Sequence, residues 1–377
     1  MRREANIFII SYSSITFCLF YSFYFYQYLV EESKNIYSFS LFLTSFQITT
    51  IILLIYFPLI YLFPKISSPL FYFFFSFMGY LINIFNGSII LFIISKYVNI
   101  NYSIKNLLFY GLPLLLSIIG QIRAEIINFD RYELKVKQWE NESIENSVKI
   151  AHLSDLHLCP IYGKKLVEKI VNILNNEEDI SFVVLTGDIV DGDIFKNKIN
   201  YEILEPFKKL KYKLYYVSGN HEEFTDKQVL FDLLEKVGII HLNNKTEVLK
   251  DYKINLIGID YDKNYQKVKN ETLPKLCQEV KSNNYPNVVL SHIPFFRPED
   301  LEKYGIFLFL CGHTHGAQMF PTVIFLYLKN TVFNGLYNYL NKYYVYCVSG
   351  VGNSGPPLRQ IIRANIGLIT LKKFLYI

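Results

Sequence analysis

The charged side chains of this chain are unevenly distributed along its 377 residues. Residues 1–122 contain only nine of them, whereas residues 123–377 contain the other 62. With 51% hydrophobic residues and a mean hydropathy of +0.20, the chain is too apolar for one ordinary soluble domain. The sequence therefore predicts two unlike parts, an apolar N-terminal region and a charged C-terminal domain.

Composition also excludes several classes of protein. Five cysteines, odd in number and without a C-x-x-C pair, exclude a secreted disulfide scaffold. The high apolar content excludes a disordered chain. A net charge of +5 is small for a nucleic-acid binder, so no nucleic-acid partner is expected.

The apolar N-terminal part contains four runs without any charged side chain. The first three exceed the roughly 20 residues that a helix needs to cross a bilayer. The fourth has 17 residues and contains Gly111, Pro113 and Gly120, so a thin span, a re-entrant segment and an interfacial helix all remain open. We expect residues 1–122 to be an all-α transmembrane region of about four spans. The runs are residues 6–29, 39–63, 69–95 and 106–122.

The distribution of basic residues at the ends of these runs predicts the topology. Seven basic residues lie on the side that includes the N-terminus and the segment after Arg123, and three lie on the other side. The positive-inside rule then predicts a cytoplasmic C-terminal domain, or the opposite side if the fourth run does not cross. No charged residue lies within a run, so the sequence does not support a transporter.

The C-terminal domain alternates β-branched runs with amphipathic stretches, a pattern typical of α/β domains. Residues 123–147 are predicted as a linker with an edge strand at residues 132–136, and residues 148–377 as the domain itself. Helices are predicted at residues 164–174, 201–210 and 227–237. Strands are predicted at residues 148–153, 182–185, 214–217, 254–259, 288–290, 306–310, 343–348 and 366–371.

Polar and ionisable residues follow many of these strands. Ligands collect beyond the carboxyl ends of the strands in such sheets, so we expect these residues to converge at one edge. Carboxylate, imidazole and amide donors without thiolate suit Mn, Fe, Zn or Mg. Asp155 and His157 would face the same side of a continuing strand, and Asp188 is the natural bridge between two ions. The residues are Asp155, His157, Asp188, Asp191, Asn220, His221, His292, His313 and His315.

The ordered motifs D-x-H, G-D-x-x-D, G-N-H-E, a lone His after a strand, and G-H-T-H resemble those of the calcineurin-like metallophosphoesterase family. The likeness extends from Lys149 to the C-terminus. It implies a four-layer α/β/β/α sandwich and a site for two divalent metal ions. One ion would be held by Asp155, His157 and His315, the other by Asn220, His292 and His313, with Asp188 bridging both; His221 would be the catalytic histidine, with Asp191 as its partner.

This constellation implies a reaction. Two ions about 3.5 to 4 Å apart would lower the pKa of a bridging water and present hydroxide to phosphorus in line. His221, oriented and kept protonated by Asp191, would donate a proton to the leaving oxygen, which contributes about 10² to 10⁴ in rate. Loss of Asp188 should be more harmful than loss of His221, because Asp188 would bind both ions.

Two sequence features refine the expected substrate. Gly192 and Asp193 stand where the family's protein phosphatases place an Arg, which argues against phosphoserine substrates. Residues 312–318 and 349–359 are similar to those of the bacterial membrane-associated, phosphodiesterase-like branch of the family. We therefore expect an integral multi-pass protein of the bacterial cell membrane that hydrolyses a phosphodiester or pyrophosphate bond, with a lipid-linked substrate as one option. The competing hypothesis is a membrane sensor or scaffold that binds a phosphorylated ligand without turnover.

Several other residues receive structural interpretations. His152 and His241 are expected to be structural, and Asp193 and Glu222 to lie behind the ligands or to face solvent. The apolar stretch at residues 323–328 has two open interpretations, a cover for the core or a contact with the bilayer. The sequence leaves the oligomeric state open.

Overall fold

The structure is a computed structural model that describes residues 64–140, 142, 147–159, 163–191, 201–295, 297–329 and 332–374. The predicted spans at residues 6–29 and 39–63 lie outside the described residues, as does Asp193. The described chain divides into two compact units. Among the described residues, those within 64–124 and 355–360 belong to the helical unit, and those within 125–354 and 361–374 belong to the α/β unit. The predicted domain boundaries at residues 122 and 147 stay a prediction.

Two long helical segments form the described part of the helical unit. Two stretches, Ser76–Ser95 and Ser103–Glu125, are long and apolar enough to cross a membrane, so the fourth apolar run belongs to a helix of sufficient length. A buried hydrogen bond of 2.7 Å from Asn83 Nδ2 to Ser117 Oγ joins the two segments. The helices are α1 (Pro64–Ser95), α2 (Tyr102–Asn106), a π-helical turn (Leu107–Gly111) and α3 (Leu112–Glu125).

A short segment from late in the chain also belongs to the helical unit. Residues 355–360 lie between two strands of the α/β unit in sequence, yet they pack on the long helices. The backbone N–H of Arg359 donates to the Gly120 carbonyl at 3.0 Å. A Cβ at Gly120 would lie 2.4 Å from Leu358 Cδ1, so this close approach needs a glycine in the helix.

The α/β unit contains two six-stranded sheets. Helices flank the sheets; they are α4 (Gly163–Asn176), α5 (Tyr201–Leu204), α6 (Lys227–Lys236), α7 (Tyr265–Lys267), α8 (Leu273–Glu279), α9 (Pro298–Lys303) and α10 (Thr322–Leu328). The strands are β1 (Ile127–Val136), β2 (Val148–Leu153), β3 (Ile180–Thr186), β4 (Leu214–Val217), β5 (Ile239–His241), β6 (Thr246–Leu249), β7 (Ile254–Ile259), β8 (Asn287–Ser291), β9 (Ile306–Cys311), β10 (Gly335–Tyr339), β11 (Tyr343–Cys347) and β12 (Ala364–Lys373).

The strand order places the predicted ligand loops on neighbouring strands. The first sheet has the order β1-β12-β2-β3-β4-β5, and β2 to β5 are parallel. The second sheet has the order β10-β11-β9-β8-β7-β6, and β7, β8, β9 and β11 are parallel. The carboxyl ends of β2, β3 and β4 therefore lie side by side, and so do those of β8 and β9.

Alternating side chains on each strand create separate apolar layers. On β3, Phe182 and Val184 face the core between the sheets, while Val183 and Leu185 face a core under helices α4 and α6. A third core lies between the second sheet and helices α8 and α9. The architecture is thus helix, sheet, sheet, helix, and the predicted α/β/β/α sandwich is confirmed.

The structure extends the predicted elements in particular places. The edge strand begins at Ile127 rather than Tyr132, because its full length pairs in parallel with β12. The helix predicted at residues 201–210 is α-helical only to Leu204 and then continues as a 3₁₀ turn from Glu205 to Lys209. Pro206 in that turn has no N–H for an α-helical hydrogen bond, which favours the change.

Candidate metal centre

Five loops at the carboxyl edge of the sandwich carry the predicted ligands. Asp155 and His157 follow β2, Asp188 follows β3, and Asn220 follows β4. The second sheet supplies three more imidazoles, because His292 follows β8 directly and the turn after β9 contains His313 and His315. The structure brings all seven predicted ligands, together with Asp191 and His221, into one connected cluster; the contacts are described below.

The backbone around the ligands adopts an unusual conformation. Five of the seven predicted ligands have a positive φ, which costs a residue with a side chain of the order of 1 to 3 kcal/mol. Their φ angles are 54° at Asp155, 45° at His157, 50° at Asp188, 72° at His313 and 51° at His315. Strand β2 ends at Leu153, so these left-handed turns, and not a continuing strand, bring Asp155 and His157 to the same side.

The first group of ligands contains Asp155, His157 and His315. The Nε2 atoms of the two imidazoles lie 2.9 Å apart. Asp155 Oδ1 lies 3.3 Å from His315 Nε2 and 3.9 Å from His157 Nε2. All three residues are buried. Three donor atoms therefore point at one small volume.

The second group contains Asp188, Asn220, His292 and His313. The Nε2 atom of His292 lies 3.2 Å from Asp188 Oδ2, 3.0 Å from Asn220 Oδ1 and 3.1 Å from His313 Nδ1. His313 is exposed at the mouth of the site, whereas Asp188 and His292 are buried. This group therefore opens toward solvent.

Asp188 lies between the two groups. Its Oδ2 atom is 3.2 Å from His292 Nε2 on one side and 3.7 Å from His157 Nε2 on the other. Its Oδ1 atom accepts a hydrogen bond of 2.9 Å from the backbone N–H of His221. The carboxylate is thereby fixed in a position from which it reaches both groups.

The donor atoms fit divalent metal ions. Asp155 Oδ1 is buried and has no hydrogen-bond partner among the described residues, which is costly unless a cation occupies its lone pairs. Carboxylate, imidazole and amide donors without thiolate match hard to borderline ions. Imidazole nitrogens of one group face each other at 2.9 Å (His157 and His315) and at 3.1 Å (His292 and His313), close enough for each pair to bind one ion.

The carboxylates give the site a strongly negative field. Burial by itself lowers the pKa of an imidazole, yet the charge of Asp188 raises the pKa of His292 to about 10. For His157, burial is likewise outweighed by Asp191, Asp188 and Asp155, and its pKa rises to about 9. His313 is the exception: the residue as a whole is exposed, but desolvation of its ring among the other ligands and the charge of His292 lower its pKa to about 4. A field that holds buried imidazoles in the charged form also attracts metal cations.

Asp191 contacts two histidines. Its Oδ1 atom lies 3.0 Å from His157 Nδ1 and 3.2 Å from His221 Nδ1. The predicted partner of His221 thus also orients a ligand of the first group. The rings of His157 and His221 meet edge to face, with centroids 4.7 Å apart. The hydrogen bond at His157 Nδ1 and the ion-pair contact at His221 Nδ1 leave Nε2 of each ring available for an ion or a substrate.

Glu222 supports the ligand loops. The side chain is fully buried, so of the two expected positions, behind the ligands or facing solvent, the structure shows the first. Its carboxylate accepts backbone N–H bonds from Asp188 at 3.0 Å, Ile189 at 2.7 Å, Val190 at 3.3 Å and Gly219 at 2.5 Å. Glu222 therefore ties the loop after β3 to the loop after β4.

Gly219 allows this close packing of loops. A Cβ at this position would lie 2.2 Å from Asp188 Oδ1 and 2.5 Å from the Asp188 backbone nitrogen. No side chain fits there without moving the carboxylate that the two groups share. The glycine of the G-N-H-E motif is thus required by the backbone approach and not by its own torsion angles.

Two other histidines lie outside the ligand groups. His152 is fully buried on β2, and its Nε2 atom is 2.8 Å from Thr186 Oγ1. His241 contacts both carboxylate oxygens of Asp260, at 3.0 and 2.8 Å. Asp260 Oδ1 in turn accepts the backbone N–H of Ser218 at 2.9 Å. Asp260 therefore supports the loop after β4 and does not join the ligand groups.

A groove lies beside His292. The rings of Tyr265 and Phe295 are stacked, with centroids 5.9 Å apart and an interplanar angle of 25°, and Tyr261 meets Tyr265 edge to face. Asp262 also lines the groove. The groove is small, with a volume of about 10 Å³, so it offers a shallow aromatic surface next to the second group of ligands.

The fold and this edge of the sandwich define a class of protein, an α/β/β/α hydrolase with clustered Asp, Asn and His side chains suited to divalent ions. A family model for calcineurin-like phosphoesterases matches residues 148–317, and the chain belongs to this family of metal-dependent phosphoesterases. The resemblance inferred from the five motifs is therefore confirmed, as is the prediction of a phosphoric ester hydrolase.

Relatives with similar sequences include bacterial and animal proteins. An uncharacterized metallophosphoesterase of Helicobacter pylori is 30% identical over 275 residues, which cover 71% of this chain and 71% of the relative. A transmembrane protein with metallophosphoesterase domain from Danio rerio is 32% identical over 244 residues, covering 60% of this chain and 54% of that protein. Its counterpart from Bos taurus is 31% identical over 242 residues, covering 60% and 53%. The chain thus matches about half the length of these two vertebrate proteins.

Proposed function

We propose that this chain hydrolyses a phosphodiester or pyrophosphate bond with the help of two divalent metal ions. The observation that carries the proposal is the position of Asp188. One carboxylate lies within 3.7 Å of an imidazole from each ligand group. A carboxylate shared in this way is expected where two ions lie close together in a phosphoester hydrolase.

The proposed ligands follow the two groups. Asp155, His157 and His315 hold one ion, Asn220, His292 and His313 hold the other, and Asp188 binds both. The ions are Mn, Fe, Zn or Mg, for which these donors are suited. When bound, such ions acidify water and neutralise charge on the phosphoryl oxygens.

His221 is the proposed general acid. Burial alone would lower the pKa of its ring, but the contact with Asp191 and the charge of Asp188 outweigh burial and raise the pKa above its usual value. The raised pKa favours the protonated form of the ring. Asp191 lies 3.2 Å from Nδ1, so Nε2 is the atom that donates a proton to the leaving oxygen.

The aromatic surface beside His292 motivates an organic substituent on the substrate. Tyr261, Tyr265 and Phe295 offer apolar ring surface against which such a substituent can pack. A phosphodiester or an organic pyrophosphate has such a group, whereas inorganic phosphate has none. The apolar helices of the chain motivate a lipid-linked substrate.

The proposed location is the bacterial cell membrane, with several spans and the catalytic domain on the cytoplasmic side. Support comes from two helices of sufficient length and from relatives named as transmembrane proteins. A Lys65→Cys variant and an Asp262→Cys variant, treated with a membrane-impermeant maleimide on intact cells, test the sidedness. Both should stay unlabelled until the cells are opened, and labelling of either one on intact cells contradicts the cytoplasmic assignment.

The decisive assay measures turnover by the purified full chain with Mn²⁺. The substrates are bis-p-nitrophenyl phosphate and lipid pyrophosphates. Turnover of at least one of them is expected, and no turnover with metals bound would contradict the proposal. Asp188→Asn separates the enzyme from a scaffold, because a scaffold would keep its phosphorylated ligand after metal loss.

A further inference from the structure

Helix α10, from Thr322 to Leu328, presents apolar side chains to solvent. None of its seven residues is buried. Phe325 is 60% exposed, Tyr327 77% and Leu328 74%, and Ile324 and the preceding Phe320 are also exposed. We call these five residues the α10 patch. A contiguous apolar surface of this kind on a folded domain marks a contact with another apolar phase.

The α10 patch is unusual within the described part of the α/β unit. Elsewhere in that unit large apolar residues are exposed singly, such as Val229 on α6 or Ile240 on β5. Single exposed residues of this kind are normal on protein surfaces. The α10 patch has five exposed apolar residues within nine positions of the chain. Such a concentration is not explained as normal single exposure.

The charge of the surrounding sequence favours an anionic partner. Glu302 is the last acidic residue of the chain, and seven basic residues follow it. Lys329 comes directly after α10 and is exposed. Apolar and aromatic side chains next to a lysine, without any carboxylate nearby in sequence, are typical of segments that lie in the interface of an anionic bilayer.

We propose that the α10 patch docks on the surface of a bilayer that contains anionic lipid, with Phe325, Tyr327 and Leu328 among the acyl chains. The same polypeptide contains helices long enough to cross a membrane, so a bilayer is available at high local concentration. Two attachments on one chain bind a membrane more strongly than either alone.

The docking has a consequence for the metal centre. Helix α10 begins seven residues after His315, and the intervening segment is fixed in place. Ala317 is fully buried, and the Gln318 side chain pairs with the Ser354 backbone, donating to its carbonyl at 3.4 Å and accepting its N–H at 3.2 Å. A docked α10 therefore keeps the loop of His313 and His315 close to the lipid headgroups.

Depth-dependent fluorescence quenching tests the proposal. The full chain, reconstituted into vesicles of phosphatidylglycerol and phosphatidylcholine, is compared with and without bromine on the acyl chains. The native Trp139 is fully buried inside the domain and gives a constant background. In a Phe325→Trp variant, brominated lipid should remove about half of the added emission, because the side chain lies among acyl chains.

A matched control uses Val229→Trp, another exposed apolar position on a surface helix of the same unit. Its exposure is 52%, and its emission should be unchanged by brominated lipid. Tyr327→Trp provides a second probe of the α10 patch and should be quenched like Phe325→Trp. Because both positions are exposed, neither substitution disturbs the core.

Three results would overturn the proposal. If brominated lipid leaves the emission of the α10 variants unchanged, membrane docking is excluded. Equal quenching of the Val229→Trp control indicates non-specific adsorption. Emission shielded from both brominated lipid and aqueous acrylamide indicates that protein covers the patch, either a second copy or the chain's own helices. None of these readouts needs catalysis, so they are independent of the proposed function.

Discussion

At the scale of single residues, the shared carboxylate and the general acid have separable roles. Asp188→Asn should lose both bound metal and activity, because Asp188 reaches both ligand groups. His221→Gln should keep its metal content and lose about 10² to 10⁴ in turnover. Metal analysis and hydrolysis of bis-p-nitrophenyl phosphate measure the two effects. Asp262→Asn, a carboxylate change in the adjacent groove, is the control and should keep its metal; equal metal loss in all three variants would contradict this assignment.

Glu222 offers a test of the support beneath the ligands. Its carboxylate accepts four backbone N–H bonds, and a Gln side chain would place an NH₂ group against two of those donors. Glu222→Gln should therefore destabilise the domain by about 1 to 3 kcal/mol for each N–H left without a partner. Denaturant unfolding followed by the emission of Trp139 measures this loss.

The neighbouring residue is the matched control. Glu223 pairs with Lys227 and Lys263 near the surface, and partly exposed ion pairs contribute about 0 to 1 kcal/mol. Glu223→Gln should therefore change the unfolding free energy little. Similar losses of unfolding free energy in the two variants would show that the loss does not arise from the buried hydrogen bonds of Glu222.

His152 makes the stability depend on pH. Burial lowers the pKa of its ring to about 3, so the folded domain keeps it neutral. An unfolded ring titrates near pH 6.5, so protons favour the unfolded chain below that value. The contribution is complete above about pH 6.5 and is lost as the pH falls toward 3, by up to about 1.4 kcal/mol per pH unit.

A His152→Asn variant isolates this effect, because its side chain does not titrate. As the pH falls from 7 to 4, the unfolding free energy of the wild type should decrease relative to that of the variant. Parallel pH profiles for the two proteins would mean that His152 is protonated in the folded domain, contrary to its burial.

At the scale of strands and helices, the elements that the sequence predicts well are those with a run of apolar residues. The strands β2, β4 and β7 were predicted with their observed bounds, since all of their residues except Lys149 are buried and most of them are apolar. Strand β6 was missed because three of its four residues are not buried, so it lacks an apolar run. Strand β10, with Asn338 and small buried area, was missed for the same reason.

The candidate site residues stand out in the sequence for a physical reason, although their roles stay a prediction. Ligand chemistry restricts the residue type at each position, so Asp, His and Asn after apolar strands are visible in the sequence. Supporting roles are less visible: Glu222 acts through backbone donors that any residue has, and Asp191 contacts His157 through a ring orientation set by tertiary structure. The left-handed conformation of five candidate ligands was not predicted either, because positive φ is uncommon for any residue other than glycine, although Asp and His adopt it more often than most.

The contact between the two sheets depends on a glycine in β12. Gly367 lies under the ring of Tyr346, and a Cβ there would be 2.2 Å from Tyr346 Cε1. Gly367→Ala should therefore destabilise the domain by about 1 to 3 kcal/mol through overpacking. A second change, Tyr346→Leu, should restore part of the loss, and thermal unfolding monitored by Trp139 measures both. Additive losses in the double variant would contradict steric overlap as the cause.

At the scale of the whole molecule, metal ions should hold the two sheets together. The first sheet supplies Asp155, His157, Asp188 and Asn220, and the second supplies His292, His313 and His315. An ion bound to both sheets stabilises the fold by about 2.7 kcal/mol when its free concentration is 100 times the Kd. A chelator should therefore lower the unfolding temperature of the wild type, and Mn²⁺ should restore it. The Asp188→Asn variant should not respond to either, and a wild type that is equally insensitive would contradict an ion shared between the sheets.

The segment at residues 355–360 has a consequence for any attempt to produce the enzyme without its helices. Because this segment belongs to the helical unit, the polypeptide passes between the two units three times, after residues 124, 354 and 360. A cut at a single linker therefore does not separate them. Leu358 and Arg359 are almost completely buried, and Arg359 donates its N–H to Gly120. A truncation that begins at residue 125 would expose the side chains of Leu358 and Arg359, which are buried in the full chain. We therefore expect the α/β unit expressed alone to be less soluble than the full chain in detergent.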